Sequence, residues 1–276
     1  MENVKLFGID VSDHQCRINW ETVKPQIDFA VIRIGWGRNH WDDTARDNIE
    51  AVNRLQIPYG AYWFSYAYTP EMAANEARTM LRFMEECSAV PTLPVYFDWE
   101  GDSQRFAEDQ EIDVTGQLLR DMYDAFADVI KEAGYTPGLY AGDSYCHDYY
   151  GRDYVESLDH VWYALYGPDG VDYGAQIWQY TSKGHLDGIS TEVDLDRCYH
   201  DYTEKKEEED VEKEKRYKTI EDCPKYARNF VKDLVIHDEL QGKGGDKGLD
   251  LSEDMIRCMQ VMDRRMLDRL KTAGVM

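Results

Sequence analysis

Two acidic residues, Asp98 and Glu100, flank Trp99 at the end of the apolar stretch LPVYFDWEGD, residues 93–102. In an extended strand residues i and i+2 share a face, so the two carboxyls would project together while Trp99 projects to the other side. Like charges that close raise each other's cost of ionisation, and a fold tolerates that mainly where it is useful. Two more acids fall at similar places: Asp10 near the end of GIDVS, and Asp194 within EVDLDR. Acidic residues are abundant, and Glu192 and Asp196 lie in register with Asp194, so Asp194 carries less weight than the pair ending an apolar run. Aromatic rings lie beside these acids. Tyr62 and Phe64 share a face of PYGAYWFSY, and Trp178 and Tyr180 share a face of AQIWQYT. Rings cover the apolar faces of a pyranose while carboxylates bind its hydroxyls, so a cleft with both suits a sugar. Buried aromatics are more often core than ligand contact; Tyr62 and Trp178, nearest the strand ends, are the substrate-binding candidates.

The elements that must position these residues follow from periodicity. Eight strand-like runs lie between Lys5 and Tyr199: KLFGIDVS, FAVIRIGWG, PYGAYWFSY, LPVYFDWE, PGLYAGD, HVWYALYG, AQIWQYT and EVDLDRC. Helical patterns separate the early ones, over residues 44–56, 70–87 and 115–133; Pro70 suits a first helical turn and Gly134 a helix stop. Alternating strands and helices argue for a parallel sheet, and eight strands for a closed barrel, with the acids at the C-terminal strand ends where such barrels keep their chemistry. Closure makes the first and eighth strands neighbours and sets the fourth across the mouth from them, so that Asp10, Asp98, Glu100 and Asp194 converge. Helices are short or absent between the last three strands. The fold class expected is therefore α/β, an irregular TIM-like β/α barrel followed by a small α-helical C-terminal domain.

A formal net charge of −23 over 276 residues excludes nucleic acid as a partner, since phosphate binding needs clustered Lys and Arg, and disfavours anionic membrane surfaces. No apolar run approaches the roughly 20 residues that span a bilayer. The N-terminal MENVKLFGIDVS lacks the pattern of a secretory signal. Six scattered cysteines, Cys16, Cys87, Cys146, Cys198, Cys223 and Cys258, form no CxxC pair, which fits neither a zinc site nor a disulfide scaffold. They read as free thiols, and neither metal nor cofactor is expected.

Residues 1–203 form the expected barrel. Residues 204–216, EKKEEEDVEKEKR, are charged at every position but Val211 and mark a linker or solvated helix. Residues 217–276 read as a helical module. Tyr226, Phe230, Val231 and Leu234 share one face, QGKGGDKGLDL forms a turn, Ser252 caps a helix, and Met255, Met259, Met262, Met266 and Leu270 form an apolar stripe. That stripe suits a core or a dimer seam rather than a ligand box, so a homodimer through this module is one expectation.

Residues 7–199 resemble the glycoside hydrolase family 25 lysozymes, the N-acetylmuramidases of bacteria and phage, through GIDVSDHQ with INW, IPYGAYWF, LPVYFDWE and IWQYTSKGHLDGISTEVDLDR in that order. The resemblance implies an irregular β/α barrel and hydrolysis of the β-1,4 bond between N-acetylmuramic acid and N-acetylglucosamine in bacterial peptidoglycan. By position it makes Glu100 the general acid, Asp98 its partner carboxylate, and Asp10 and Asp194 acids lining the site. Asp98 then acts either as a base through water or by positioning the substrate's acetamido group. The family usually has glycine where Cys16 stands and aspartate where Asn19 stands, so the loop after the first strand is expected to differ in shape. GLDLSEDMIRCMQVMDR more loosely resembles helical modules appended to wall hydrolases, and leaves wall attachment and self-association both open. With no signal pattern at the start, the expectation is an endolysin-like enzyme made in a bacterial cytoplasm and acting on the wall, or else a secreted one. Two rivals are a non-catalytic wall-glycan binder, which four retained carboxylates argue against, and a family 18 type chitinase, whose D-x-x-D-x-D-x-E pattern would need acids where Leu93 and Tyr96 stand.

Overall fold

The computed structural model describes residues 4–167, 170, 173–202, 217–223, 227–236, 251, 255, 256 and 259. The chain divides into two compact units, Met1–Glu204 and Lys205–Met276. Among the described residues the first holds nine strands: β1 (Leu6–Val11), β2 (Phe29–Trp36), β3 (His40–Trp41), β4 (Tyr59–Phe64), β5 (Val95–Asp98), β6 (Pro137–Gly142), β7 (Val161–Ala164), β8 (Ile177–Gly184) and β9 (Val193–Cys198). They pair in the order β1-β9-β8-β7-β6-β5-β4-β2, and a β1–β2 pairing closes the ring, with the short β3 added outside on β2. Each of the eight strand-like runs supplies one barrel strand.

The helices between strands are α1 (Trp20–Val23), α2 (Ala45–Leu55), α3 (Pro70–Glu86), α4 (Gly101–Asp109), α5 (Gly116–Glu132), α6 (Asp143–Tyr145) and α7 (Arg152–Glu156). The three spans read from periodicity coincide with α2, α3 and α5. Thr69 and Thr115 cap α3 and α5, accepting from the backbone N–H of Met72 and Leu118, and Gly134 follows α5 at φ +86°. Two features differ from expectation. The sheet is not wholly parallel: β9 runs antiparallel to both β8 and β1. The segment between Gly184 and Val193 is too short for a crossover helix, and a short connection returns the chain in the opposite direction. The second is α4, which starts directly after Glu100, so β5 ends at Asp98 and Glu100 is the N-cap of a helix rather than a strand residue.

Alternation along the strands splits the apolar residues in two. Leu6, Phe29, Val31, Tyr62, Tyr96, Tyr140, Trp162, Ile177 and Cys198 pack together inside the barrel, while Ile9, Ile32, Trp63, Phe97 and Trp178 pack beneath the helices. Both faces are buried, so these strands read as continuous apolar runs. Trp162 fills the centre, with the rings of Tyr140, Tyr96 and Tyr62 at 4.5, 5.3 and 5.7 Å. A polar layer therefore has room only above these rings.

In the second unit, Tyr217, Cys223, Ala227, Val231, Leu251 and Ile256 are buried together, and α8 (Arg228–Ile236) supplies Val231 to that core. Phe230 and Met259 pack against it. The charged stretch 204–216, Tyr226, the turn 241–250, Ser252, Met262, Met266 and Leu270 lie outside the described residues. Among the described residues, no helix is long and apolar enough to cross a membrane.

Candidate active site

Register assembles the acids at one end of the barrel. Asp10 on β1 pairs with Asp194 on β9, and Gln179 on β8 pairs with Asp196. Across the barrel Phe64 pairs with Asp98, and Asp98 with Tyr140. Because β9 is reversed, its N-terminal residues reach the end of the barrel where the parallel strands have their C-termini. Asp194 is thus carried to the mouth by the start of its strand.

Asp98 is 4% exposed, and its Oδ1 has no hydrogen-bond partner among the described residues. Its carboxyl and that of Glu100 lie within hydrogen-bond reach of each other, a contact that needs a proton between them. Burial first, and then the charge of Glu100, push Asp98 well above the usual carboxylate range, against the pull of Arg33. Burial also raises Glu100, opposed by the Tyr140 hydroxyl and assisted by the charge of Asp102. Glu100 is the less buried of the two. Its backbone N–H donates to Ser103 Oγ at 3.2 Å, fixing it at the start of α4, where the positive end of the helix favours the charge left when a proton departs.

A second buried pair faces them. Asp10 Oδ2 accepts from Gln179 Nε2 at 2.8 Å, and Asp196 Oδ1 accepts from Trp162 Nε1 at 2.8 Å. The Asp10 and Asp196 carboxyls are within hydrogen-bond reach of each other. Burial and the charges of Asp194 and Asp196 raise Asp10 well above its ordinary value, and burial pushes Asp196 up to about 8. Asp194, less enclosed, is pushed up to about 6 by burial and then by Glu100. Gln179 Oε1 accepts from the hydroxyls of Tyr140 and Tyr166, each at 3.0 Å. The two acid pairs are thereby joined through Tyr140 and Gln179.

Arg33, on the inner face of β2, is held by Asp42 (2.8 Å) and Asp13 (2.6 Å). Asp42 in turn accepts from the backbone N–H of Asp13 at 2.9 Å, tying the loop after β1 to the barrel. That loop contains Cys16, at φ 54° and ψ −139°, and Asn19, whose side chain caps α1 by accepting from Thr22 N–H at 3.3 Å. Aspartate at this position could accept the same hydrogen bond.

The structure brings Asp10, Asp98, Glu100 and Asp194 together and sets Tyr62, buried, beneath them, near enough for Asp10, Arg33 and Asp98 to act on its hydroxyl. Trp178 is not in this group. Ile177 and Gln179 face the interior, and Trp178 between them faces the helices, its Nε1 donating to Leu165 O at 2.9 Å and Arg197 lying over its ring. The strand period that aims Gln179 at the acids aims Trp178 away from them. Four residues of the site were not singled out in the sequence: Gln179, Tyr140, Asp196 and Arg33. Three carried the signal that marked Asp98, a polar residue in an apolar run; Asp196 was masked by the general abundance of acids.

The arrangement can donate a proton from one enclosed carboxyl and support developing positive charge with others. Residues 9–189 match the Glycosyl hydrolases family 25 profile, a span that includes Asp10, Asp98, Glu100, Tyr140 and Gln179. The uncharacterized protein YegX of Escherichia coli strain K12 is 26% identical over 200 residues, 69% of this chain and 68% of YegX. Among solved structures, the modular autolysin LytC of Streptococcus pneumoniae, in complex with a synthetic peptidoglycan ligand, superposes with a TM-score of 0.60 at 26% identity, over 70% of this chain and 46% of LytC. The match thus spans less than half of LytC. The catalytic domain of endolysin ply40, from bacteriophage P40 of Listeria monocytogenes, gives 0.60 at 25% identity over 73% of this chain and 95% of that one. A family match across two-thirds of the chain, on a barrel of this topology with its acids at the mouth, establishes that the protein belongs to glycosyl hydrolase family 25.

Proposed function

We propose that the protein cleaves the β-1,4 bond between N-acetylmuramic acid and N-acetylglucosamine in bacterial peptidoglycan, with Glu100 as the general acid and Asp98 as its partner. The observation that carries this reading is the enclosed Asp98–Glu100 contact at the barrel mouth, facing Asp10 and Asp194. Glu100 protonates the glycosidic oxygen, the C–O bond breaks, and the oxocarbenium-like centre is met by the surrounding carboxylates. Asp98 aligns either water or the substrate's acetamido group against that centre. The synthetic peptidoglycan ligand in complex with LytC, and the likeness to the catalytic domain of an endolysin, support the substrate class.

Glu100→Gln keeps size and hydrogen bonding but has no proton of useful acidity. Reducing-end release from purified peptidoglycan should fall by roughly 10²- to 10⁴-fold with the melting temperature nearly unchanged. Activity near that of the parent protein would remove Glu100 from this role, and analysis of the released ends distinguishes a muramidase from a glucosaminidase. Loss of turbidity of Gram-positive walls tests the lytic part of the reading. For residues 217–276 we propose wall attachment or self-association. Light scattering on the full chain supports self-association if it finds a dimer, and co-sedimentation of a monomer with walls supports attachment.

A further inference from the structure

Tyr140 lies on the inner face of β6, in register between Asp98 and Trp162. Its hydroxyl has two acceptors within reach: Gln179 Oε1 at 3.0 Å and the Glu100 carboxyl. A hydroxyl has one hydrogen to donate. Gln179 Oε1 also accepts from Tyr166, 56% exposed at the mouth, so it keeps a partner when Tyr140 turns away. The amide itself has one usable orientation, because its NH2 must face Asp10 Oδ2 at 2.8 Å. Gln179 is therefore a fixed acceptor, and Tyr140 is the group free to choose.

We propose that Tyr140 is a positioning residue for the acid: its hydroxyl rests on Gln179 while Glu100 is protonated and turns to the Glu100 carboxylate once that proton has gone. This rests on the reading of Glu100 as the general acid. In the step, the Glu100 O–H bond breaks and its electron pair stays on the carboxylate. The proton goes to the glycosidic oxygen, which also takes the electrons of the breaking C–O bond. The Tyr140 O–H bond stays intact, since burial and the charges of Glu100 and Asp98 hold the phenol far above its ordinary value.

The groups acting on Glu100 come from several elements: Asp98 at the end of β5, Asp102 on α4, Tyr140 on β6 and Asp194 on β9, with Tyr145 and Tyr166 nearby. Tyr140 also faces Asp98 and Asp10, and Arg33 acts on Asp98. The charged carboxylates of this set oppose a charge on Glu100. Once Glu100 has lost its proton, a donor supplied by Tyr140 stabilises the acid's product rather than its resting form, and so accelerates the step.

The test compares the parent protein with Tyr140→Phe, which removes only the hydroxyl, by 13C NMR titration of labelled Glu carboxyls, with Glu100→Gln assigning the resonance, alongside pH–rate profiles on peptidoglycan. In Tyr140→Phe the Glu100 carboxyl should titrate at higher pH and the alkaline limb of kcat should move up with it. kcat should fall about tenfold or more, for one lost hydrogen bond to a charged group, with KM unchanged. Tyr166→Phe, which ties Tyr140 more firmly to Gln179, should move the limb the same way by less. An unmoved Glu100 titration in a folded Tyr140→Phe protein would overturn the proposal, even if kcat and KM both worsened, since that marks a structural role. If the parent protein does not act on peptidoglycan while the Glu100 titration still moves in Tyr140→Phe, the hydroxyl's role is supported and only the substrate is overturned.

Discussion

At Cys16 the backbone adopts φ 54° and ψ −139°, a region that glycine enters freely and a side chain does not. The family resemblance places glycine at this position, and here the residue that replaces it carries the strain of that conformation. Strain of this kind costs of order 1–3 kcal/mol, against a glycine entropy penalty of roughly 0.5–1 kcal/mol. Cys16→Gly should therefore stabilise the protein by about 1 kcal/mol, read as a raised urea midpoint at unchanged slope; a lowered midpoint would mean the exposed Cys16 side chain contributes more than its backbone costs. At the two departures in this loop, Asn19 caps α1 through its side-chain oxygen, as aspartate could, and Cys16 takes a backbone conformation that favours glycine. Asp98 and Glu100 were legible because polar residues ending an apolar run are costly without a use. Trp178 was misplaced because proximity to a strand end says nothing of which face a residue takes, and that face is set by register.

Among the elements, the strands were the most legible, since two buried faces leave uninterrupted apolar runs bounded by turns. The direction of β9 and the existence of α4 were not. The first depends on how the chain reaches β9 from β8, and the second on a nine-residue helix whose buried residues are only Ser103 and Ala107, too few for an apolar stripe. The strands also carry a constraint that shows only in packing. Gly138 on β6 lies against the Tyr96 ring, where an added Cβ would meet ring atoms at 2.4 Å. Tyr96 is fully buried and edge-on to Trp162, so it has little room to yield. Gly138→Ala should destabilise the protein by about 1–3 kcal/mol or more through overpacking, seen as a lower melting temperature. An unchanged melting temperature would show that the barrel interior relaxes more readily than its packing indicates.

For the molecule as a whole, the clustered acids tie stability to pH. Asp196 is pushed up to about 8, Glu76, buried on α3 beneath Ser65 and Tyr66, to about 7, and Asp194 to about 6, each chiefly by burial. Unfolded carboxyls titrate near 4. Between about 4 and 8 the folded chain therefore holds more protons than the unfolded one, and stability falls as pH rises through that window. Melting temperatures from pH 5 to 8.5 should decline, and Asp196→Asn, which keeps an oxygen for Trp162 to donate to, should flatten the decline. The net charge of −23 acts in the same direction, so the difference in slope between the two proteins carries the test; equal slopes would remove Asp196 as a source. By itself the sequence determined the eight barrel strands, three of the helices and the family, because these rest on local periodicity and on motifs of fixed spacing. Only the tertiary structure decided that Asp196 and Gln179 join the acids, that Trp178 turns its back on them, and that Tyr140 stands between two acceptors. Those relations are set by strand register and closure of the ring, which bring together residues as far apart as Asp10 and Gln179 and leave no mark on either segment alone.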